Sequence, residues 1–406
     1  MESAALTLSF PDIEAISILP LFAIFRIIVD AAFLPLDLPA GRRDEKAGYN
    51  RGGSRRRGYF SRMLSCERSH GHHYGAAYQT QLFFWGDRGV DFFFVLSGFI
   101  IGHVHGSDIG QPERFRDYVL KRIIRIFPIL WFVAGSWIAL KYFAGAGTTS
   151  VSVAATSLFL IPSLEHPVPL VVWTLRHEML FYLMFGLLIA SRTVGTVVGL
   201  FWLGGCLLQL VLLAAGRGFG GLAAMILSAF QLQFAMGMLA AWMYRRHAAR
   251  YPLALLICAM LSVVIVIALT QWLGASRRDT LDYVSAGATI WVLVYGVALA
   301  ALVYGLAVCS DFVTVPRWAT FLGAASYAIY LVHVPAISLA QRAFKVLLPA
   351  PPIPFFAAVL FGLIVAGIGA GCALHIAFER PVTRLLRKRL LNGSRGLADL
   401  APARRE

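Results

Sequence analysis

Nine apolar stretches divide this chain, near 83–104, 123–143, 169–190, 194–215, 222–244, 251–272, 284–308, 319–340 and 354–377. Each is about long enough to cross a ~30 Å hydrocarbon core as a helix. The stretches are continuous and do not alternate with a period of two, so they read as helices and not as barrel strands. No interval between them has room for a large soluble domain. Hydrophobic residues make up 58% of the 406 and charged residues 14%, which is far from the usage of a soluble domain. The expected fold is all-α, a polytopic transmembrane helical bundle of about ten spans that has the lipid bilayer as its surroundings.

A net charge of +15 raises the question of nucleic acid, and its distribution answers it. The basic residues sit between hydrophobic spans, the pattern that orients membrane helices, so no nucleic-acid partner is expected. Lys121, Arg122 and Arg125 follow the second span, Arg245, Arg246 and Arg250 the sixth, and Arg380, Arg384, Arg387, Lys388 and Arg389 the last. Placing these clusters in the cytoplasm gives ten spans with both chain ends inside. The loops then expected outside carry fewer: Lys141 at a helix end, Arg217, Arg277 with Arg278, and Arg342 with Lys345. Of the five cysteines (Cys66, Cys206, Cys258, Cys309, Cys372), four lie in apolar segments and none has metal-like spacing. Neither a disulfide nor a metal site is expected from them.

Parity requires a span before 83–104. Using 15–35 leaves nine Lys or Arg residues of 37–82 outside, against the positive-inside bias. The alternative, 62–80, contains Glu67, Arg68, His70, His72 and His73, which insert poorly. The 15–35 stretch lacks the basic start of a signal peptide, since Glu2, Asp12 and Glu14 precede it, and Arg26 and Asp30 interrupt it. It reads as an extra or interfacial helix. Cys66 with the three histidines does not match a standard zinc module. On this reading 37–61, with its Arg55-Arg56-Arg57 run, is disordered and polar, and 62–80 is poorly packed.

Polar residues inside the spans are the candidates for chemistry. Asp91 stands at the mouth of an apolar run, with Ser97-Gly98 in its middle. A charge persists there when it has a partner or a task, and the Ser-Gly step admits a close neighbouring helix. Arg122 and Arg125 share one helix face, and guanidinium forks grip phosphate oxygens at two points. Positive-inside anchoring explains the same residues equally simply. Arg176, His177 and Glu178 follow Trp173 early in a span, and Glu178 shares a face with Tyr182. Such a cluster faces a cavity, pairs internally, or snorkels to the headgroups. Ser326, Tyr330 and His333 lie on one side of a helix, followed by Pro335. They read as a polar pocket, or as a histidine bonded to a backbone carbonyl. His103 and His105 read as interface residues. No Gly-Lys-Ser/Thr phosphate loop and no Gly-x-Ser-x-Gly elbow is present.

Four runs in order resemble the acyltransferase-3 family, integral membrane O-acyltransferases that modify cell-surface sugars. They are Gly89-Val90-Asp91 with its apolar continuation, Arg122-Ile123-Ile124-Arg125-Ile126-Phe127-Pro128 through Trp131, Trp173 through Glu178 to Phe181-Tyr182, and Gly323 through Ser326-Tyr327, Tyr330 and His333 to Pro335. Thr174 stands where the family has serine, and Phe378-Glu379-Arg380-Pro381 is similar to the family's ending. There Glu379 is expected to close the last span and pair with a cytoplasmic arginine. Arg62 and His73 have the family's Arg, ten residues, His spacing without its apolar filling. A local shift of reading frame leaves such a pattern, and a basic loop with an accidental histidine cluster is the competing explanation.

The resemblance spans about 62–390, with 1–61 an atypical N-terminal region and 391–406 a cytoplasmic tail. It implies a multi-pass protein of the bacterial inner membrane. It implies transfer of an acyl group, acetyl being expected, from cytoplasmic acyl-CoA to a hydroxyl of an exported glycan or oligosaccharide. It implies no bound cofactor, with acyl-CoA (acetyl-CoA) as a co-substrate. Arg62, Arg122 and Arg125 would hold the donor. His73, Glu178 and His333 are the catalytic candidates, His73 being the matched base. Asp91, Ser97, Trp173, Tyr182, Ser326 and Tyr330 would line the substrate pocket. The main rival is a glycan or lipid-linked permease, which predicts internal repeats that the halves of this chain do not show.

Overall fold

A computed structural model describes residues 88–143, 148–246, 251–273, 285–310, 316–347 and 356–391. The readings of 15–35, 37–61, 62–80 and the tail past 391 fall outside these residues, and Arg62 and His73 with them. The described helices are α1 (Arg88–His105), α2 (Pro112–Phe143), α3 (Val151–Leu158), α4 (Val172–Ala190), α5 (Arg192–Ala214), α6 (Gly221–Ile226), α7 (Ala229–Arg246), α8 (Pro252–Trp272), α9 (Ala286–Ser310), α10 (Arg317–Leu347), α11 (Phe356–Leu374) and α12 (Arg380–Leu390). No strand occurs among the described residues. The protein is a polytopic helical bundle: α2, α4, α5, α6 with α7, α8, α9, α10, and α11 with α12 give eight segments long and apolar enough to cross a membrane. A ninth, Gly89–His105, is apolar but shorter.

Two boundaries differ most from the hydropathy reading. Helix α2 begins at Pro112, well before the apolar stretch near 123. Its polar first turns continue because Phe115 and Tyr118 pack on the Cβ-free surface of Gly186 in α4. The last span does not close at Glu379. A π-helical turn, His375–Glu379, joins α11 to α12, and Pro381 lies in the first turn of α12, where its missing N–H costs nothing. The partner of Glu379 is also not an arginine: its Oε2 lies 2.7 Å from His375 Nδ1, one π turn back on the same helix.

Helix α1 is the centre of the packing, and its densest partner is α7. A Cβ at Gly98 would overlap the carbonyl oxygen of Phe234, and one at Gly237 would overlap that of Val95. Two glycines facing opposite backbones allow the close approach that drives helix association where lipid offers no hydrophobic contrast. The approach packs Phe94 against Phe230 and Phe234 at 5.0 and 4.9 Å between ring centroids. A core of α1, α2, α4, α7 and α10 side chains surrounds this contact on one side. A second core of α1, α7, α8 and α9 lies on the other. Helices α5 and α8 turn Leu200, Phe201, Leu207, Leu261, Val264 and Ile265 outward, the apolar coat expected against lipid chains.

Valine at Gly98 or Gly237 has to push α1 from α7 and is expected to cost about 1–3 kcal/mol. A Cβ at Gly135 meets no atom within 4 Å, so Gly135→Ala is the neutral control. Thermal unfolding of the detergent-solubilised protein checks this: the Gly98→Val and Gly237→Val midpoints should fall clearly below that of Gly135→Ala.

Candidate active site

Five consecutive residues of α4, Thr174 to Glu178, are buried. A helix buried all round sits inside the bundle, and its successive side chains, 100° apart, must each find a partner. Arg176 points to the segment before its own helix. Its guanidinium donates to the carbonyls of Ser163 and Glu165 at 2.9 and 2.8 Å and to Thr156 Oγ1 at 3.2 Å. His177 turns to α7, with Nδ1 3.1 Å from Gln231 Nε2, inside a cage of Phe94, Trp173 and Phe230. Of the three ionisable residues Arg176, His177 and Glu178, Glu178 is the one turned to the hydroxyls of Ser97 and Tyr182.

Glu178 Oε1 accepts a hydrogen bond from Ser97 Oγ of α1 at 3.1 Å and another from the Tyr182 hydroxyl one turn along α4. Arg125 and Arg122 of α2 act on the same carboxylate electrostatically. The guanidinium of Arg122 lies 5.5 Å from the Tyr182 ring centre and 6.0 Å from that of Tyr118. Tyr118 in turn donates to the Tyr182 carbonyl at 3.0 Å, which fixes α2 on α4. Tyr327 of α10 donates to the Ile126 carbonyl at 3.0 Å and lies in the field of Glu178, Glu379 and Arg125. Side chains of α1 and α2 therefore converge with α4 on one buried acid.

Above this layer lies a second one. Thr174 Oγ1 meets the Tyr330 hydroxyl, which also donates to the Val171 carbonyl at 3.0 Å. Phe93, one turn before Ser97, stacks on the Tyr330 ring at 5.5 Å. His333 is fully buried a turn beyond, with Nδ1 on the Tyr330 carbonyl of its own helix. A carbonyl partner requires an N–H at Nδ1, leaving Nε2 as the basic nitrogen. Ser326 is buried, and its Oγ has no partner among the described residues.

The structure thus brings together Ser97, Glu178, Tyr182, Arg122 and Arg125, and places Trp173 and Tyr330 one turn away. Asp91 stands apart, on the side of α1 facing α7 and α9. It accepts from Gln233 Nε2 at 2.7 Å, and the same amide nitrogen donates to the Val292 carbonyl at 2.7 Å. Sequence reasoning missed Tyr118, Tyr327 and His105. His105 is buried, with Nδ1 2.8 Å from Asp108 Oδ2 and Nε2 3.3 Å from Arg122 Nη2. Its three-residue spacing to Asp108 was a visible signal, but its reach to Arg122 crosses a turn between helices. Among the described residues no group of three or more His, Cys, Asp or Glu is placed to hold a metal ion.

The multi-span bundle gathers an acid, hydroxyls and arginines at its centre, and this cluster is the candidate site. The acyltransferase-3 model, described as an acyltransferase domain, matches residues 68–371. The chain is 32% identical over 333 residues to the exopolysaccharide production protein ExoZ of Rhizobium meliloti (strain 1021), covering 78% of this chain and 95% of the relative. The chain belongs to the acyltransferase-3 family and is a membrane acyltransferase. No solved structure matches it.

Glu178→Gln keeps the size of the side chain and its contact with Ser97 while removing the charge. Acyl transfer should fall by about 100-fold or more, with the yield of monodisperse protein in detergent unchanged. Normal transfer, or loss of the folded protein, would return Glu178 to a structural part.

Proposed function

We propose that the protein transfers an acyl group, acetyl being the expected one, from cytoplasmic acyl-CoA to a hydroxyl of an exported glycan. The observation that carries this reading is the buried Glu178 carboxylate, bonded by the Ser97 and Tyr182 hydroxyls and faced by Arg122 and Arg125. An exopolysaccharide is the acceptor class that the name of the relative favours. The bundle lies in a bacterial inner membrane, with the end that carries Lys121, Arg122, Arg245 and Arg246 in the cytoplasm, as the positive-inside bias directs. Both chain termini are on that side.

Donor and acceptor then approach from opposite faces. Arg122 and Arg125 bind donor phosphates at the cytoplasmic end, and the thioester reaches the Glu178 layer. The acceptor enters past Trp173 and Tyr330, where Ser326 contributes to the polar lining; Asp91, bonded to Gln233 on the other side of α1, stays outside that path. An imidazole takes the proton of the acceptor hydroxyl as its oxygen attacks the thioester carbonyl. The tetrahedral centre collapses, the carbon–sulfur bond breaks, and the proton passes to the departing thiolate. Glu178 orients the hydroxyl or the imidazole. His73 is the base that the family resemblance assigns, with Arg62 beside the donor. His333 is the alternative base among the described residues, through Nε2.

Labelled acetyl-CoA supplied to membranes together with purified glycan tests the proposal: label on the glycan supports transfer, and glycan movement without label supports a permease. Arg125→Lys keeps the charge that anchors α2 but loses the two-point fork. It should weaken acyl-CoA binding by about tenfold with membrane insertion intact. Unchanged binding, measured by titration of the purified protein, would leave Arg125 an anchoring residue.

A further inference from the structure

We propose that Asp108 and His105 form a positioning pair that presents Arg122 to the phosphates of the acyl-CoA donor. The inference rests on the reading of Arg122 as a donor contact and adds how that contact is held. His105 is the last residue of α1 and is 2% exposed. Its Nδ1–H donates to Asp108 Oδ2 at 2.8 Å, so Nε2 keeps a lone pair, and that lone pair accepts from Arg122 Nη2 at 3.3 Å. The opposite tautomer would set an N–H against the guanidinium and leave Asp108 without its donor. Asp108 therefore selects the form of the ring that Arg122 needs.

Everything around the pair limits its freedom. The Tyr118 ring meets His105 edge-on, with centroids 5.1 Å apart and planes at 87°. The turn carrying Asp108 is tied back on both sides. Asp108 N donates to the His105 carbonyl at 3.0 Å and Gln111 N to the Asp108 carbonyl at 3.0 Å, while Gly110 N reaches the Leu188 carbonyl at the end of α4 at 2.9 Å. Gly110 has φ +80°, a conformation that glycine adopts without a side-chain penalty. Arg122 is thus gripped at Nη2 and flanked by the Tyr118 and Tyr182 rings. Its Nε is buried and has no partner among the described residues. The contact at Nη2 orients the guanidinium, and its remaining N–H groups are the ones left for an anion. A fork ordered before binding loses less side-chain entropy when the phosphate arrives.

The test compares two donors with the full-length purified protein and the glycan acceptor: acetyl-CoA, and an acetyl-pantetheine thioester that carries no phosphate. Asp108→Asn should raise KM for acetyl-CoA by about tenfold, leave kcat within about twofold, and leave KM for acetyl-pantetheine unchanged. His105→Gln, whose amide oxygen replaces the Nε2 acceptor, should retain most of the affinity for acetyl-CoA. His105→Asn, too short to reach Arg122, should lose it. A merely structural pair would change both donors alike and show no difference between Gln and Asn. Arg122→Ala separates this proposal from the reading beneath it. If Arg122→Ala affects the two donors equally, Arg122 is not a phosphate contact and the underlying reading fails. If it affects acetyl-CoA alone while Asp108→Asn and both His105 variants leave KM unchanged, the donor contact stands and the positioning pair is overturned.

Discussion

A carboxylate inside a membrane bundle has to be matched by donors and positive charge, because no water is there to do it and the cost runs to several kcal/mol. Glu178 imposes this demand, and the surrounding helices are arranged to meet it. Ser97 reaches it from α1, Tyr182 from its own helix, and the field of Arg125 and Arg122 from α2. For Ser97 to arrive, α1 has to sit deep in the bundle, and the glycine contacts with α7 put it there. For the arginines to arrive, α2 has to begin early and lie along α4, and Tyr118 on the Tyr182 carbonyl secures that. The polar first turns of α2 are thus part of the site's support and not a loop beside it.

The same arrangement gives the interior a direction. From the basic end inward, the order is Asp108, His105, Arg122, then Glu178 with Ser97 and Tyr182, then Thr174 with Tyr330, then His333. In the proposed reaction the charged donor enters where the arginines are and the sugar hydroxyl enters where the aromatics and Tyr330 are. The two meet at mid-depth. Moving a bulky anionic donor or a whole glycan through the bilayer is then unnecessary, since only the acyl group changes sides. Catalysis in such a site comes mainly from holding the two reactants in line, with proton transfer added by the imidazole.

Much of this was legible in the sequence because hydropathy and motif order are local properties. The continuous apolar runs gave the helices, the order of Arg122, Trp173, Glu178, Ser326 and Tyr330 gave the family, and Glu178 with Tyr182 at four residues gave the shared face. What escaped depends on contacts between segments. Nothing in the spacing of Arg176, His177 and Glu178 says which one faces the interior; that is decided by Thr156, Gln231 and Ser97 on three other elements. Glu379 next to a run of arginines invited an ion pair, but a π turn carries it over His375 instead. His105 looked like an interface residue because Arg122, its partner, lies across the turn on α2.

The most direct measurement is a cryo-electron microscopy structure of the protein in a lipid nanodisc with a non-hydrolysable acyl-CoA analogue. The account predicts phosphate density within hydrogen-bonding distance of Arg122 and Arg125 and the acyl end of the analogue beside Ser97, Glu178 and Tyr182. An analogue bound elsewhere, with the Glu178 layer closed by packed side chains and no path to the basic end, would contradict it.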